Sequence, residues 1–386
     1  MSRSLENVLT VIEKAKLDDD SLLSLSQLVY YSGDINQENS KVFELPKELL
    51  EDLKSQKRFV IRGNENDSAV LCTDSATYDM TEAETSNLLL AVPELSVPQE
   101  IPESEEGRVL KIIEVRKAFQ TYFELKPTKP KLKRLREMLQ SRLYNGPELE
   151  MEVDSKTLTF DELCGRIQAS EKELKDALDE NHAFILNGEF RILDIDYCYR
   201  TWSLIEGVKE ENSWSLNSMK KSVILESISH ISPVYVIEAF LKRFCHISDE
   251  DEDIISLNHE EIARFFGEFL FNRNQQYSLT EFLSYWQESV PEGVVVDIKH
   301  LSGLAIAKPE SQPPVIRFFP EYDLPEDVPQ RFMALFAMKP KWTLEEITPY
   351  LIRLVSSSKD VNALLTKHSR ASVVNGVRYF SAKHGN

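Results

Sequence analysis

Residues 159–193 read TFDELCGRIQASEKELKDALDENHAFILNGEFRIL, and this stretch decides how the carboxy-terminal part of the chain folds. Thr159 precedes a short run of acidic and apolar residues, which predicts a capped helix start. Ser170 and Glu173 have the spacing of a capping box, so they predict the start of a second helix. The pair Asn187-Gly188 separates two apolar runs, and an Asn-Gly pair in that setting is the strongest short hairpin signal. The stretch therefore predicts a helix, a second helix and a two-stranded hairpin, in that order.

The same plan recurs near the end of the chain. Thr343 opens a helix, residues 359–367 predict another, and Asn375-Gly376 precedes an apolar strand. The helix starts lie 184 residues apart and the Asn-Gly pairs 188 residues apart, so both order and spacing are kept. Such self-similarity indicates an internal repeat of one supersecondary unit.

A looser middle copy begins at Ser278. Residues 297–301 predict its second helix, and the apolar runs 304–307 and 315–319 flank a proline-rich turn. Helix, helix and a two-stranded wing is the order found in the winged-helix variant of the helix-turn-helix. The alternative interpretation is generic α+β packing without functional meaning. We therefore predict three tandem winged helices, in the ranges 127–210, 211–322 and 323–386.

The first 126 residues predict a β-rich domain. Short apolar runs predict strands, and a proline at a permissive first-turn position predicts one short helix at 46–53. The predicted strands are 42–45, 58–63, 69–72, 77–80, 87–92, 109–113 and 122–125. Residues 63–67 supply a hairpin turn, and the acidic, proline-bearing stretch 93–107 predicts an exposed loop. The predicted fold class is α+β, with a barrel-like amino-terminal domain over residues 1–126 followed by the three winged helices.

Charge and composition limit the classes of partner and compartment. The chain has 45 Lys and Arg against 64 Asp and Glu, and a net charge of −19 argues against general adhesion to nucleic acid or anionic lipid. A DNA-binding protein of this charge must concentrate its cations locally. The amino-terminal residues are too acidic for a signal or transit peptide, and no apolar run is long enough for a membrane helix. The four cysteines form no CxxC pair, and we expect them to be reduced in the cytosol or nucleus.

No motif for catalysis or metal binding stands out. The chain has no P-loop and no GxGxxG, and only 12 glycines. His259-Glu260 lacks the second histidine of a zinc-protease motif. The acidic run Asp249–Asp253 lacks the glycine turn of a calcium loop, and we predict a solvated loop there. The sequence therefore predicts a protein that is not an enzyme, with no catalytic, metal-binding or cofactor-binding residues.

A basic, amphipathic helix is predicted after residue 128. Its six cations accompany one acid, Glu137, and its apolar residues recur at helical spacing. The cations are Lys129, Lys131, Lys133, Arg134, Arg136 and Arg142. We expect the apolar face of this helix to turn inward and its cationic face outward. The alternative interpretation is an ordinary solvated helix face.

The last predicted domain is the second basic cluster. Residues 323–386 contain nine Lys and Arg against six Asp and Glu, a local net charge of +3. Lys367 and Arg370 fall at the end of the predicted recognition helix, and Arg378 and Lys383 on or after the wing. We predict that these four DNA-binding residues line one face and contact phosphates without reading bases. The alternative is a basic surface for a protein partner.

Several fragments, in order along nearly the whole chain, resemble one family. They are Arg58–Gly63, Ala69–Cys72, Thr77–Asp79, Thr85–Leu90, Pro130–Lys133, Ser289–Gly293, Lys341–Thr343 and Ala363–Lys367. Together they are similar to the sister-chromatid-cohesion Dcc family, whose members are subunits of an alternative replication-factor-C-like clamp loader. None of the fragments is a catalytic signature, so the specificity of the resemblance comes from their joint order.

The resemblance implies a non-catalytic subunit in the nucleus. In that family the amino-terminal β domain joins a small companion subunit and the carboxy-terminal tail of the large loader subunit. The winged helices reach towards the catalytic subunit of DNA polymerase epsilon and towards DNA, single- or double-stranded, and they meet the sliding clamp only indirectly. ATP hydrolysis belongs to other subunits, so no cofactor and no membrane are expected. The implied function is to link the loader to the polymerase and DNA, supporting clamp loading and unloading, replication and cohesion.

Two rival classes remain open. A winged-helix transcription or chromatin regulator acting outside the clamp loader would be a self-sufficient homodimer with one preferred DNA sequence. An enzyme would need a cluster of titratable groups in a pocket, which sequence does not reveal. The clamp-loader interpretation instead predicts a chain that needs its companion subunit to stay soluble. It also predicts open edge strands in the amino-terminal domain, such as 70–72 or 112–113, ready to pair with a partner chain.

Overall fold

The computed structural model describes residues 4–18, 22–31, 39–65, 67–101, 108–150, 158–355 and 358–383. Thirteen α-helices lie in these ranges: α1 Leu5–Ala15, α2 Lys47–Lys54, α3 Lys133–Gln140, α4 Phe160–Arg166, α5 Glu171–Glu180, α6 Ile195–Glu211, α7 Lys221–Ile228, α8 Val234–Phe244, α9 His259–Arg273, α10 Leu279–Ser289, α11 Val328–Met338, α12 Leu344–Ile347 and α13 Ser358–His368. Of the predicted 63–67 turn and 93–107 loop, Asn66 and residues 102–107 lie outside the described residues.

Nineteen strands lie in the same described ranges. They are β1 Leu25–Tyr30, β2 Phe43–Glu44, β3 Val60–Arg62, β4 Val70–Cys72, β5 Thr77–Ala91, β6 Val109–Glu114, β7 Lys117–Thr128, β8 Leu143–Tyr144, β9 Phe184–Leu186, β10 Glu189–Leu193, β11 Met219–Lys220, β12 Cys245–Ile247, β13 Ile254–Leu257, β14 Gln276–Ser278, β15 Ala305–Lys308, β16 Val315–Phe318, β17 Trp342–Thr343, β18 Ser369–Val374 and β19 Val377–Ala382. The predicted α+β class is confirmed.

The chain divides into two compact units. Unit 1 contains Met1–Lys57 and Asp79–Lys126, and unit 2 contains Arg58–Tyr78 and Pro127–Asn386. Residues 58–78 thus interrupt unit 1 in the sequence and belong to unit 2. The four predicted domain ranges stay predictions.

The described strands of unit 1 do not close a barrel. β1 and β6 pair in parallel, from Leu25 opposite Val109 to Tyr30 opposite Glu114, and form a two-stranded sheet of their own. β2 pairs in parallel with β7, and β7 lies next to β5. A closed barrel needs a neighbour on both sides of every strand, and β1 and β6 have one each. The barrel-like prediction is therefore wrong.

The predicted open edges differ between the two strands proposed. β4 is buried and lies between β3 and β5 in its sheet, so it offers no open edge. No described strand pairs with the second side of β6 in its two-stranded sheet, and its Ile112 is 53% exposed. The open edge is found at β6 and not at β4. The two strands predicted at 77–80 and 87–92 are one continuous strand, β5.

Residues 58–78 form a hairpin that packs on helices of unit 2. β3 and β4 pair antiparallel within it. Thr77 Oγ1 donates a hydrogen bond to Glu173 Oε2 at 2.6 Å and accepts one from the Ser170 N–H at 3.0 Å. Two hydrogen bonds from side chains to the backbone add to this contact. The Arg62 guanidinium donates to the Cys164 carbonyl, and the Gln168 side-chain amide donates to the Ser68 carbonyl. Thr77, which lies more than ninety residues upstream, therefore completes the hydrogen bonds of the cap at the start of α5.

The rest of unit 2 repeats one order of elements four times: helix, strand, helix, helix and hairpin. We number these modules 1 to 4; they occupy residues 133–193, 195–257, 259–318 and 328–382. In each module the last strand lies between the first strand and the other strand of the hairpin. The first and last strands pair in parallel in module 1 and antiparallel in the others. Module 2 is not among the predicted copies, and the second helix predicted for module 3 is a short 3-10 turn, Ile298–Leu301.

Local sequence signals set the helix and hairpin boundaries as predicted. Thr159 and Ser170 cap α4 and α5 by accepting a backbone N–H three residues on, at 3.4 and 3.2 Å. The Asn187-Gly188 pair has φ angles of 53° and 83°, and the Asn375-Gly376 pair 51° and 80°. A type I′ turn requires positive φ at both positions, which asparagine and glycine adopt most readily. Both predicted hairpins are confirmed.

Neighbouring modules share hydrophobic cores. Modules 2 and 3 have one continuous core, whose large buried side chains include Trp202, Phe240, Phe265, Phe282 and Trp286. Ile306 of module 3 belongs to the core of module 4. Tyr144 of module 1 packs edge-on against Tyr197 of module 2, with ring centroids 5.2 Å apart. The modules are therefore held together by buried surface.

A buried ion pair joins module 4 to the segment that precedes it. Arg331, in α11, is 3% exposed, and its Nη1 lies 2.5 Å from Glu321 Oε1. The same guanidinium donates to three backbone carbonyl oxygens at 2.7, 2.8 and 3.3 Å. The Glu321 N–H donates to the carbonyl of Gly303, in module 3, at 2.7 Å. One charged pair thus connects the two last modules.

Replacing Arg331 by methionine is expected to lower the free energy of unfolding by about 3–5 kcal/mol, because Glu321 and three carbonyl groups lose their buried cation. The matched control is Arg353→Met. Arg353 also contacts Glu321, at 3.3 Å, but its side chain is 46% exposed, so a loss of about 0–1 kcal/mol is expected. Urea unfolding followed by circular dichroism measures both variants, and equal losses would contradict the assignment.

His182 lies in the turn between α5 and β9, with a φ of 53°. Burial, and then the charges of Arg243 and Lys242, lower its pKa to about 4. The unfolded chain binds this proton near the ordinary pKa of about 6.5, and the folded chain does not. The destabilising effect of His182 is therefore absent above about pH 6.5 and grows as the pH decreases towards 4.

The variant His182→Asn should lack this acid-dependent loss, since asparagine tolerates a positive φ and does not titrate. We expect the native chain to lose about 1–2 kcal/mol more than the variant between pH 7 and pH 5. Urea unfolding of both proteins at the two pH values measures the difference. Identical pH profiles would show that His182 is not the group responsible.

Candidate nucleic-acid interface

The four residues predicted to bind DNA all lie in module 4, and all are exposed. Lys367 is in the last turn of α13, Arg370 is in β18, Arg378 is in β19, and Lys383 follows β19. Lys383 Nζ donates a hydrogen bond to the Lys367 carbonyl at 2.6 Å. This bond places both lysines at the carboxy-terminal end of α13, where positive charge is favourable for the helix.

Arg370 and Arg378 lie on opposite faces of the hairpin. The cross-strand neighbour of Arg378 is Val373. Side chains alternate along a strand, so Arg370, three residues before Val373, points to the other face. Arg378 shares its face with the buried core residue Phe380, and its guanidinium lies 5.1 Å from the centre of that ring. The expectation that all four residues line one face is therefore wrong.

The charge around the end of α13 is positive. None of the four cations forms an ion pair within the part of the chain that the structure describes, whereas Arg353 pairs with two carboxylates at 3.3 and 3.7 Å. The ring of His368 stacks on Phe332, with centroids 5.3 Å apart. Burial, and then the charges of Lys367 and Lys383, lower the pKa of His368. Ammonium and guanidinium groups arranged in this way can bind an anion such as a phosphate.

The amphipathic helix predicted after residue 128 is α3, and only part of its cationic face turns outward. Leu135 and Leu139 are buried, as expected, and Lys129, Lys131, Lys133 and Arg134 are exposed. The guanidinium of Arg136 instead lies 3.1 Å from the centre of the Tyr322 ring, and burial lowers its pKa. Arg142 pairs with a carboxylate of Glu189 at 3.1 Å. These two arginines serve packing within unit 2, so the prediction is wrong for them.

The hairpin of module 2 carries the opposite charge. The acidic run 249–253, predicted as a solvated loop, is the largely exposed turn between β12 and β13. Asp253 accepts hydrogen bonds from the Ser222 backbone N–H and side chain at 2.7 and 2.8 Å, and these bonds lower its pKa. This turn contains no Asn-Gly pair, which is why the sequence did not indicate a hairpin. Paired apolar runs on either side of it were the signal that could have revealed module 2.

The described residues also bear on metal binding, membrane insertion and cavities. No group of three or more His, Cys, Asp and Glu side chains could hold a metal ion there. No helix there combines the length and apolarity needed to span a bilayer. A cavity of about 150 Å³ at the boundary of modules 3 and 4 is lined by Ile306, Trp342 and Tyr350, among others.

Comparison with known proteins assigns the chain to a family. A family model described as sister chromatid cohesion protein Dcc1 matches residues 40–351. Proteins named sister chromatid cohesion protein DCC1 from Xenopus tropicalis, Mus musculus and Homo sapiens are 34%, 33% and 32% identical to this chain. Each alignment covers 99% of this chain, and 99%, 97% and 99% of the respective relative. The resemblance found in the sequence is confirmed, and the chain belongs to the Dcc1 family of sister chromatid cohesion proteins.

Proposed function

We propose that this chain is a non-catalytic subunit of an alternative clamp loader, which links the loader to DNA polymerase epsilon and to DNA in the nucleus. The observation that carries the proposal is the end-to-end similarity to sister chromatid cohesion proteins, 34% identity over 99% of both chains in one case. The absence of a P-loop from the sequence supports assigning ATP hydrolysis to other subunits. In this role the chain supports clamp loading and unloading, replication and cohesion.

The four modules are interpreted as winged helices. Their repeated order of helix, strand, helix, helix and hairpin supports this interpretation. So does the three-stranded sheet of each module, with its last strand in the middle. Winged helices serve as binding modules for DNA or for protein, so the chemistry of each surface must decide its partner. The shared cores favour an array that moves as one body and presents its hairpins together.

Module 4 is the part proposed to contact DNA. The end of α13 and the hairpin carry cations that have no carboxylate partner in the described chain, and the acidic hairpin of module 2 repels phosphate. Lys367, Lys383 and Arg370 suit phosphate contacts from one side, and Arg378 reaches a duplex only from the other. Such contacts are electrostatic, so binding tolerates changes of sequence and weakens with salt.

Unit 1 is the part proposed to join the small companion subunit and the tail of the large loader subunit. One side of β6 is unpaired among the described strands, and this supports the assignment because an open strand edge pairs readily with another chain. Val109 and Ile112 on that strand are 55% and 53% exposed. Burial of these side chains by a partner strand is favourable at about 25 cal/mol per Å² of apolar surface.

Affinity purification of the tagged full chain from nuclear extract, followed by mass spectrometry, tests the partners. We expect clamp-loader subunits and DNA polymerase epsilon to be recovered, and Ile112→Asp to lose the companion subunit because it places a charge at the strand edge. The matched control is Ile61→Asp: Ile61 lies in β3 of unit 2 and is 56% exposed, so its loader subunits should be retained. Recovery of transcription or chromatin factors without loader subunits would favour the rival function.

Changing Lys367, Arg370 and Arg378 together to alanine is expected to weaken DNA binding about equally for unrelated duplex sequences, since phosphates carry no sequence information. The slope of log affinity against log salt should flatten by about 0.9 for each phosphate that the variant no longer neutralises. Fluorescence anisotropy on two unrelated duplexes across a salt series measures both effects.

The control for this experiment is a second triple variant, in which Lys172, Lys220 and Lys242 are changed to alanine. These residues are exposed in other modules, so the variant loses the same net charge from unit 2. The single variants Arg370→Ala and Arg378→Ala report which face of the hairpin meets the duplex. If the first triple variant keeps the affinity and salt slope of the native chain, module 4 does not bind DNA through these residues.

A further inference from the structure

The hairpin of module 4 has an open outer strand. β18 is the outermost strand of its sheet, whose order is β17, β19, β18, and no described strand pairs with its outer side. It is six residues long, against three or four for the corresponding strands β9, β12 and β15 of the other modules. Val373 is 69% exposed and Val374 44% exposed. An unpaired strand edge of this length with exposed apolar side chains is a template for pairing with another chain.

The type I′ turn fixes which backbone groups of β18 face outward. The residues that flank a two-residue turn form a hydrogen-bonded pair, and such pairs alternate along an antiparallel ladder. Val374 and Val377 flank the turn, so Ser372 and Arg370 also hydrogen-bond across to β19. The N–H and C=O groups of Ala371 and Val373 therefore point away from β19. They leave two donors and two acceptors at the outer edge.

The corresponding strands of the other modules are shorter, and each has a neighbouring contact or charge that disfavours pairing at its edge. β9 of module 1 lies against α8, where Phe184 stacks on Tyr235 with ring centroids 6.1 Å apart. Module 4 contacts β15 of module 3. The Tyr350 hydroxyl of module 4 donates to the carbonyl of Ala305, the first residue of β15, at 3.4 Å. β12 of module 2 is three residues long and leads into the acidic turn 249–253, and charge at an edge discourages pairing. Among the described strands, β18 has one neighbour, β19, on its inner side.

We infer that β18 binds an extended segment of a partner protein in which acidic and apolar residues alternate, and that this segment adds as a strand to the open edge. Its apolar side chains pack beside Ala371 and Val373, on the face that β18 shares with the core residue Phe380. Its acids lie on the other face beside Arg370, and β18 itself contains no acid. Lys367 adds positive charge at the start of the strand.

A second copy of this chain is the other occupant to consider. Pairing of β18 with β18 would bring two Arg370 side chains to one seam and no carboxylate to balance them, since the strand reads SRASVV. Like charges at a strand seam are destabilising. The charge of the edge therefore favours an acidic segment over a second copy.

The test uses a fluorescein-labelled decapeptide that alternates valine and glutamate, titrated with the full chain and followed by anisotropy. The valines are the residues opposite Ala371 and Val373, so their N–H groups donate to β18. N-methylation of every valine removes these donors without changing charge, and we expect it to weaken binding at least about tenfold. Arg370→Glu should weaken binding of the unmethylated peptide by a similar factor.

The variant Ala371→Pro removes only an outward N–H and keeps every hydrogen bond of the hairpin, so it should also weaken binding about tenfold or more. Ala371→Ser is the matched control and should bind within about twofold of the native chain. Thermal melting verifies that the variants fold; if the proline variant does not, the N-methylated peptide on the native chain decides alone. Equal binding of the methylated peptide overturns the inference. So does a native dimer, seen by light scattering, that Ala371→Pro converts to a monomer.

Discussion

A buried guanidinium requires an acceptor for nearly every N–H group, and Arg331 imposes that requirement on the last two modules. Its acceptors come from Glu321, from the segment before α11 and from the backbone of Tyr350. All of them must be in place at once for the charge to be tolerated. The Glu321 N–H in turn donates to the carbonyl of Gly303, which has a φ of 72°. A Cβ added at Gly303 would lie only 3.3 Å from the Cβ of Pro349. This set of bonds, together with the shared hydrophobic core that includes Ile306, holds module 4 against module 3.

The parts of the fold that the sequence predicted correctly are those that local chemistry determines. Thr159, Ser170 and the two Asn-Gly pairs act within a few residues of themselves, and each lies where it was predicted. The first strand of each module escaped prediction because it is two or three residues long and exists only through pairing with a distant strand. The parallel pairing of β1 with β6 joins segments about eighty residues apart and leaves no local signal. The prediction of a barrel-like domain was wrong for the same reason, since closure depends on which strands pair with each other.

In the candidate site, too, local properties could be predicted from the sequence and the spatial arrangement could not. Its residue types could be predicted, because charge is a property of the sequence, and all four cations are exposed as a contact surface requires. Their arrangement could not, because the faces of Arg370 and Arg378 depend on the register of one hairpin. Burial in shared cores fixes most of each module, whereas the hairpins are free to differ. The acidic turn of module 2 and the basic hairpin of module 4 illustrate how one repeated scaffold presents unlike surfaces.

The hairpin of residues 58–78 gives the order of synthesis a role in folding. Thr77 leaves the ribosome before its partner Glu173, which lies 96 residues further along the chain. At about 5–20 residues per second, the hairpin waits roughly 5–20 s for the helix on which it packs. During that interval its apolar strand β4, buried in the finished protein, is exposed while unit 1 already has most of its residues. The nascent chain therefore presents a transient apolar strand, and the time taken to synthesise residues 78–173 determines how long this strand waits for α5.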